Sequence, residues 1–563
     1  MIRKFGVLAL SALVCACSTT STTEPTGSTP PPPAASEPAA PKLQAPLFND
    51  LGNYSSKIST KVPLTQRFFD QGLMLTFGFN HAEAARSFRE AARLDPTCAM
   101  CYWGVAFVLG PNINMPMFPD ANAEAWSASR KALQLAGNAT PRERALIEAL
   151  AMRYVEKPPQ DRSALDRAFA DAMREVARKY PDDYEVQAFF AESLMDLSPW
   201  DYWKDGQPKP ATVEIIAALE RVLNAFPNHA GANHLYIHAL EASPNPGRAE
   251  SAADRLLPLA PGAGHLVHMP GHIYMRVGRY HDAGLVNIKA GEADMSYIAQ
   301  CQAQGVYPLL YHPHNWHFLW FAASFSGNSA WAQRGANQTR ELMGTHKHDD
   351  PNFGPVIQHF WLTPLYNDVR FGRWDAILAT SEPQDSPYLR GAWHYARGMA
   401  LSAKGDAKGA RQELEKVREF AQDPKLPAIT VSVRNNAKQL VDIAAKVLEG
   451  DIEARAGKHA QAVAALEEAV ALEDKLGYNE PEDWHMPTRH MLGAALLDAG
   501  KPADAEKAYR DELAHHTENG WSLKGLALSL RAQGKEQEAA AVEQRFQKAW
   551  SSADVQLSAS VIR

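Results

Sequence analysis

His234, His238 and Glu241 follow one another at spacings of four and three, His265, His268 and His272 at three and four, and His314 and His317 at three. Residues at those spacings return to one side of an α-helix, a turn apart. Imidazole nitrogens on successive turns can converge on one ion. A His-x-x-x-His pair completed from another helix is a zinc arrangement, with nitrogen roughly 2.0–2.1 Å from the metal. Sets of imidazoles with a carboxylate also suit copper, iron or nickel, so the expected cofactor is a transition metal ion, zinc first. Seven histidines exceed one ion's needs, leaving room for a second ion or for histidines that support the ligands from behind. Glu241, or Glu192 one repeat earlier, is the expected base beside a metal-bound water, which would make the protein a metal-dependent hydrolase.

Ten of the 20 histidines fall between His229 and His317, and repeated helices bring them into phase. The tetratricopeptide pattern is a 34-residue helix-turn-helix with small residues at positions 8, 20 and 27, a large apolar residue near 24 and proline at 32. Counted from Thr65, the chain supplies Gly72, Ala84, Phe88, Ala91 and Pro96 at those positions. A unit from Ala230 runs without a gap into one from Gly264, and others start at Pro313, Gly391, Ile443, Met486 and Gly520. The predicted fold is therefore all-α, a tetratricopeptide solenoid of stacked helix-turn-helix pairs whose first helices line a concave groove.

Positions 2, 5, 9 and 12 of the first helix face that groove. His234, His238 and Glu241 take 5, 9 and 12 of one unit; His265, His268 and His272 take 2, 5 and 9 of the next; His314 and His317 take 2 and 5 of the unit from Pro313. Glu192 is position 9 of a unit counted from Tyr184. His229 and His281 fall off this face and are expected at the surface. His394, His490, His515 and His516 are expected to be structural or exposed. Groove histidines can also bind a peptide carboxylate, stack on Trp200 or Trp316, or satisfy a buried polar network. Trp200, Tyr202 and Trp203, on a loop after Leu197, are expected to cover the groove mouth.

The chain has 563 residues, 64 Asp plus Glu against 57 Lys plus Arg, and a net charge of −7. That balance lacks the basic excess of a phosphate-backbone binder, so no nucleic-acid partner is expected. Arg3 and Lys4 precede an apolar run from Phe5 to Val14, the short core of an export signal. Val14-Cys15-Ala16-Cys17 resembles a bacterial lipobox with Cys17 as the lipidated residue, and Ser18 in place of Asp favours the outer membrane, facing the periplasm. Residues 18–47 are rich in Ser, Thr, Pro and Ala and read as a tether; 48–345 and 346–563 read as an N-terminal array with the histidine groove and a C-terminal array. In that oxidising compartment Cys98-x-x-Cys101 is either a disulfide or redox pair, or two small buried residues.

The strings Asn233-His234-Leu-Tyr-Ile-His238-Ala-Leu-Glu241-Ala-Ser243, His265-Leu-Val-His268-Met-Pro-Gly-His272-Ile-Tyr274, Tyr311-His-Pro-His314-Asn315 and Asn519-Gly-Trp521 resemble a group of exported bacterial tetratricopeptide proteins. The resemblance runs from about residue 54 to 545. It implies the repeat fold and the histidine strings and names no substrate; Asp196 departs from the Asn it favours. His-Glu-x-x-His, Gly-x-Ser-x-Gly and a phosphate-binding loop are lacking. The expected function is a lipid-anchored repeat protein that binds a protein, peptide or substrate in a groove carrying the metal. A metal-dependent hydrolase and a metal-free interaction scaffold are the alternatives.

Overall fold

A computed structural model describes residues 43–301, 306–344 and 346–562. The expected export signal, Cys17 and the expected tether as far as residue 42 lie outside the described residues. From Gln44 onward the chain is one compact unit, and the two arrays set apart at 345/346 both lie within it. Its packing begins before residue 48: Ala45 is buried, and the Gln44 amide donates to Glu90 Oε1 at 3.2 Å.

The unit is a solenoid of antiparallel helical hairpins. Pro63–Phe77 pairs with His81–Leu94, Ala230–Leu240 with Glu250–Leu256, and His312–Ser326 with Ser329–Met343; the series continues to Gly520–Ala532 and Glu536–Ala549. The small residues of the pattern explain how closely the helices approach. A Cβ on Gly72 would lie 2.7 Å from the Phe88 ring, and one on Gly104 would lie 2.4 Å from the same ring. Phe88 is therefore gripped between two inner helices, and neither position accepts a side chain without displacing it. Among the described residues no helix is long and apolar enough to cross a membrane.

Two departures from regular hairpins shape the region around the histidines. The inner helix of the Gly264 unit breaks at Met269, giving Gly264–His268 and Pro270–Arg276. Pro270 has no N–H to donate, so the break falls where its ring would clash with the preceding turn. Ahead of His312–Ser326 lies a wider turn, Tyr307–Tyr311, of the π-helical kind found at functional sites.

The later repeats also pack against the earlier ones. Trp521 Nε1 donates to the Ser324 carbonyl at 2.8 Å, Tyr280 Oη donates to the Thr517 carbonyl at 2.8 Å, and Arg434 donates to the Trp200 carbonyl at 2.8 Å. The expected open groove is thus closed over at the histidines, and the inner helices face a buried chamber.

Candidate metal centre

Six of the seven histidines form two adjoining triads. His234, His238 and His265 make one; His268, His272 and His314 make the other; within each, one donor atom per residue lies within 4.8 Å of the rest. Five of the six are buried, and His314 is half-buried. Rings of the two triads approach to 5.7 Å at His265 and His268 and to 5.9 Å at His238 and His272.

The Nδ1 atoms of four of these rings are occupied from behind. His234 Nδ1 donates to the Phe77 carbonyl at 2.6 Å, His268 Nδ1 to Asn287 Oδ1 at 2.7 Å, and His238 Nδ1 to Glu241 Oε1 at 2.8 Å. His272 Nδ1 donates to Glu480 Oε2 at 3.0 Å and stands 2.6 Å from Glu241 Oε2. Fixing the proton on Nδ1 turns the Nε2 lone pair inward, as in metal-ligating histidines. The Nε2 atoms of His234 and His265 are 3.2 Å apart. Two nitrogens bound tetrahedrally to one zinc at roughly 2.05 Å would be about 3.3 Å apart.

Electrostatics divide the rings. Burial, helped by the neighbouring imidazoles, holds His234, His265 and His268 well below the usual histidine range. Burial also takes His314 down to about 3, and lowers His238 despite Glu241. Neutral imidazole is the form that binds metal. His272 is the exception: burial opposes its charge, but Glu241 and Glu480 outweigh it and lift it to about 10. Glu241 is correspondingly held down to about 2, because His272 and His238 overcome the effect of its own burial. The charged His272 donates through Nε2 to His268 Nε2 at 2.8 Å.

Glu241 has both oxygens turned to imidazoles, so it ties the two triads together and is poorly placed to accept a proton from water. Glu192 lies elsewhere. It is buried beside Asp196, and burial and that neighbour push it up to about 8. Asp196 pairs with the buried Arg153 at 2.7 Å. His317 belongs to neither triad: its ring packs on Phe360 at 4.7 Å and faces His359 at 5.7 Å, because position 5 of its helix turns toward the following repeat.

The expected surface position of His229 is wrong. It is fully buried, its Nδ1 accepts from the Ala232 amide at 3.0 Å to cap the helix, and its ring packs on Tyr54 and Phe77. His281 is exposed and stacks on Trp331, and His515 is exposed. His394 and His490 are buried in local polar contacts, while His516 bridges Glu482 and Glu512. Only Trp200 of the aromatic loop meets the histidines, edge-on to His238 at 5.1 Å. Tyr202 is buried beneath that loop, and Trp203 Nε1 bonds the Ala239 carbonyl. Trp316 donates to His312 Nε2, away from the triads. Cys98 and Cys101 are joined as a disulfide.

A cavity of about 240 Å³ opens onto both triads, lined by His238, His265, His272 and His314 together with Trp200 and Glu480. Glu480, Asn287 and Phe79 belong to the site without having been expected there. Phe79 stacks on His265 at 5.2 Å and meets His234 at 4.6 Å. Asn287 carried a signal, since it stands at position 24 of the unit from Gly264, where the repeat calls for a large apolar residue. Glu480 carried none, as it reaches His272 across 208 residues of chain.

These features describe a tetratricopeptide array with a histidine-lined chamber. Residues 490–554 match a family model described as Tetratricopeptide repeat. No curated protein matches the chain. Among solved structures, the chain is similar to a human IFIT1 dimer with m7Gppp-AAAA at 14% identity, covering 87% of this chain and 90% of that one with a TM-score of 0.29. It is also similar to the APC/C hetero-tetramer Cut9-Hcn1 (13% identity, 87% and 74% covered, TM-score 0.28) and to yeast Tom70 (12%, 86% and 92%, 0.25). Likenesses at such scores carry nothing further about this chain.

Proposed function

We propose that this tetratricopeptide protein holds transition metal ions at the two histidine triads and presents them to a molecule entering the adjoining cavity. One observation carries the reading: imidazoles from three successive inner helices converge in two triads, and four of them are backed on Nδ1 by a carbonyl, an amide or a carboxylate. The donor set is nitrogen with nearby carboxylate and contains no thiolate, which suits zinc, copper, iron or nickel. His234, His238 and His265 would hold one ion, and His268, His272 and His314 the second. Elemental analysis of protein purified from metal-replete cells is expected to find about two ions per chain, and a preparation with none ends the reading.

Hydrolysis is the second reading, favoured by the cavity that lets water reach the triads. A bound ion would supply Lewis acidity to such a water. Glu241 is engaged by two imidazoles and Glu480, at the cavity wall, by His272 and Tyr478, so either carboxylate would have to release a partner before it could take a proton from that water. Attachment to the cell envelope through a lipid on Cys17 belongs to the same proposal: Cys17→Ser should move the protein from membrane pellets to the soluble fraction, and unchanged pelleting would refute it.

A further inference from the structure

A second, larger cavity of about 680 Å³ adjoins the histidine chamber. It lies between the start of helix His81–Leu94, the segment after Val108 and the turn Tyr307–Tyr311. Met115 and Tyr311 line both cavities. The partition is thin and aromatic: Tyr311 packs on His265 at 5.0 Å, and Phe79, a wall of the larger cavity, touches His234 and His265 on its other face.

We infer that this chamber is the binding site for the body of the substrate, an uncharged apolar or aromatic organic molecule, whose reacting end is delivered past Met115 and Tyr311 to the triads. The inference rests on the metal reading above. The volume is within the roughly 300–1,000 Å³ of sites for small organic ligands, and such sites are lined mainly by apolar and aromatic side chains. Met115, Met117, Phe118 and Val108 supply that lining, and methionines adapt to varied apolar shapes. Among the described residues that line it, no unpaired charged group calls for an ionic ligand. Arg86 is paired with Glu83 at 3.1 Å and Arg89 with Glu124 at 2.6 Å. His81 is kept neutral, as burial takes it down to about 4.

The test uses the purified protein and a series of straight-chain 1-alkanols competing with the uncharged fluorophore N-phenyl-1-naphthylamine. Each added methylene should tighten binding about three- to fourfold until the chamber is full. Ala85→Phe on the chamber wall should weaken the fluorophore at least tenfold while metal content stays at the wild-type level. Ala82→Trp at the exposed rim repeats the test where folding is not at stake. Affinity independent of chain length, or unchanged by both variants, overturns the chamber. In cobalt-loaded protein, octanol should shift the visible spectrum of the metal; bound octanol without any shift overturns the link to the triads. Protein that takes up no cobalt refutes the metal reading instead, and the alkanol series still decides the chamber.

Discussion

Glu241→Gln tests how the triads are held together, and its effect can be worked out for protein stripped with a chelator. Both carboxylate oxygens face imidazole, 2.8 Å from His238 Nδ1 and 2.6 Å from His272 Nδ1, and the side chain is fully buried. Glutamine keeps the volume and one acceptor but removes the charge opposite His272. Breaking a buried pair from one side costs about 3–5 kcal/mol when the remaining charge is left alone; here Glu480 still faces His272 Nδ1 at 3.0 Å, so the loss should fall below that range. The pH dependence follows from two shifts. His272 is raised to about 10, so its stabilising effect is complete below its unfolded value near 6.5 and is lost as pH rises through 10. Glu241 is lowered to about 2, so its effect is complete above its unfolded value near 4.5 and is lost as pH falls through 2. The stability gap between wild type and variant should therefore be widest at pH 5–6, narrow by pH 8 and vanish near 10. Urea unfolding followed by circular dichroism at pH 5.5, 8 and 10 measures it. A gap that stays constant across these values would refute the assignment of a charged His272 held by Glu241.

Replacing His238 and His268 together by Ala should remove most bound metal, whereas replacing the exposed His281 and His515 should leave the content unchanged; equal losses would dissolve the two-triad arrangement. His317→Ala should cost stability through lost contact with Phe360 yet leave metal content intact, as elemental analysis would record. Asn287→Ala deprives His268 of its Nδ1 acceptor and should weaken metal binding about 10–100-fold in chelator competition without removing a ligand. Gly104→Ala drives a methyl into the Phe88 ring and should destabilise the protein by about 1–3 kcal/mol in denaturant unfolding, with no effect on the metal-to-protein ratio.

The repeat fold was legible because its signal is periodic. Helices begin at Pro63, Ala230, Gly264, His312, Thr488 and Gly520, within a residue or two of the units counted from Thr65, Ala230, Gly264, Pro313, Met486 and Gly520, whereas the units counted from Gly391 and Ile443 start several residues inside the helices Pro387–Ala403 and Ala437–Arg455. The hairpin of Pro141–Ala151 with Ser163–Lys179 was missed, since the long connection 152–162 between its helices breaks the fixed register even though its inner helix carries Ala145 and Ala149. Counting in phase brought together the histidines of the two triads, which share a helix or stand on successive units. It failed for His317, since a helical spacing fixes a face only while neighbouring helices keep the same rotation, and the turn at Tyr307–Tyr311 alters that rotation.

What the repeat count could not reach was the return of the later array over the earlier one. A solenoid pattern specifies contacts between neighbours, and contacts between units far apart in sequence depend on the accumulated twist, which no single unit encodes. Glu480 belongs to that second kind. It meets His272 only because the later repeats close over the inner helices, and in doing so it helps convert an imidazole that burial would hold neutral into a charged one. Metal uptake must then displace a proton from His272, so affinity should fall as pH drops below 10, about tenfold per unit while that single proton competes. The two halves of the array are thereby coupled through one ring: whatever loosens the later repeats from the chamber also removes a carboxylate from behind His272.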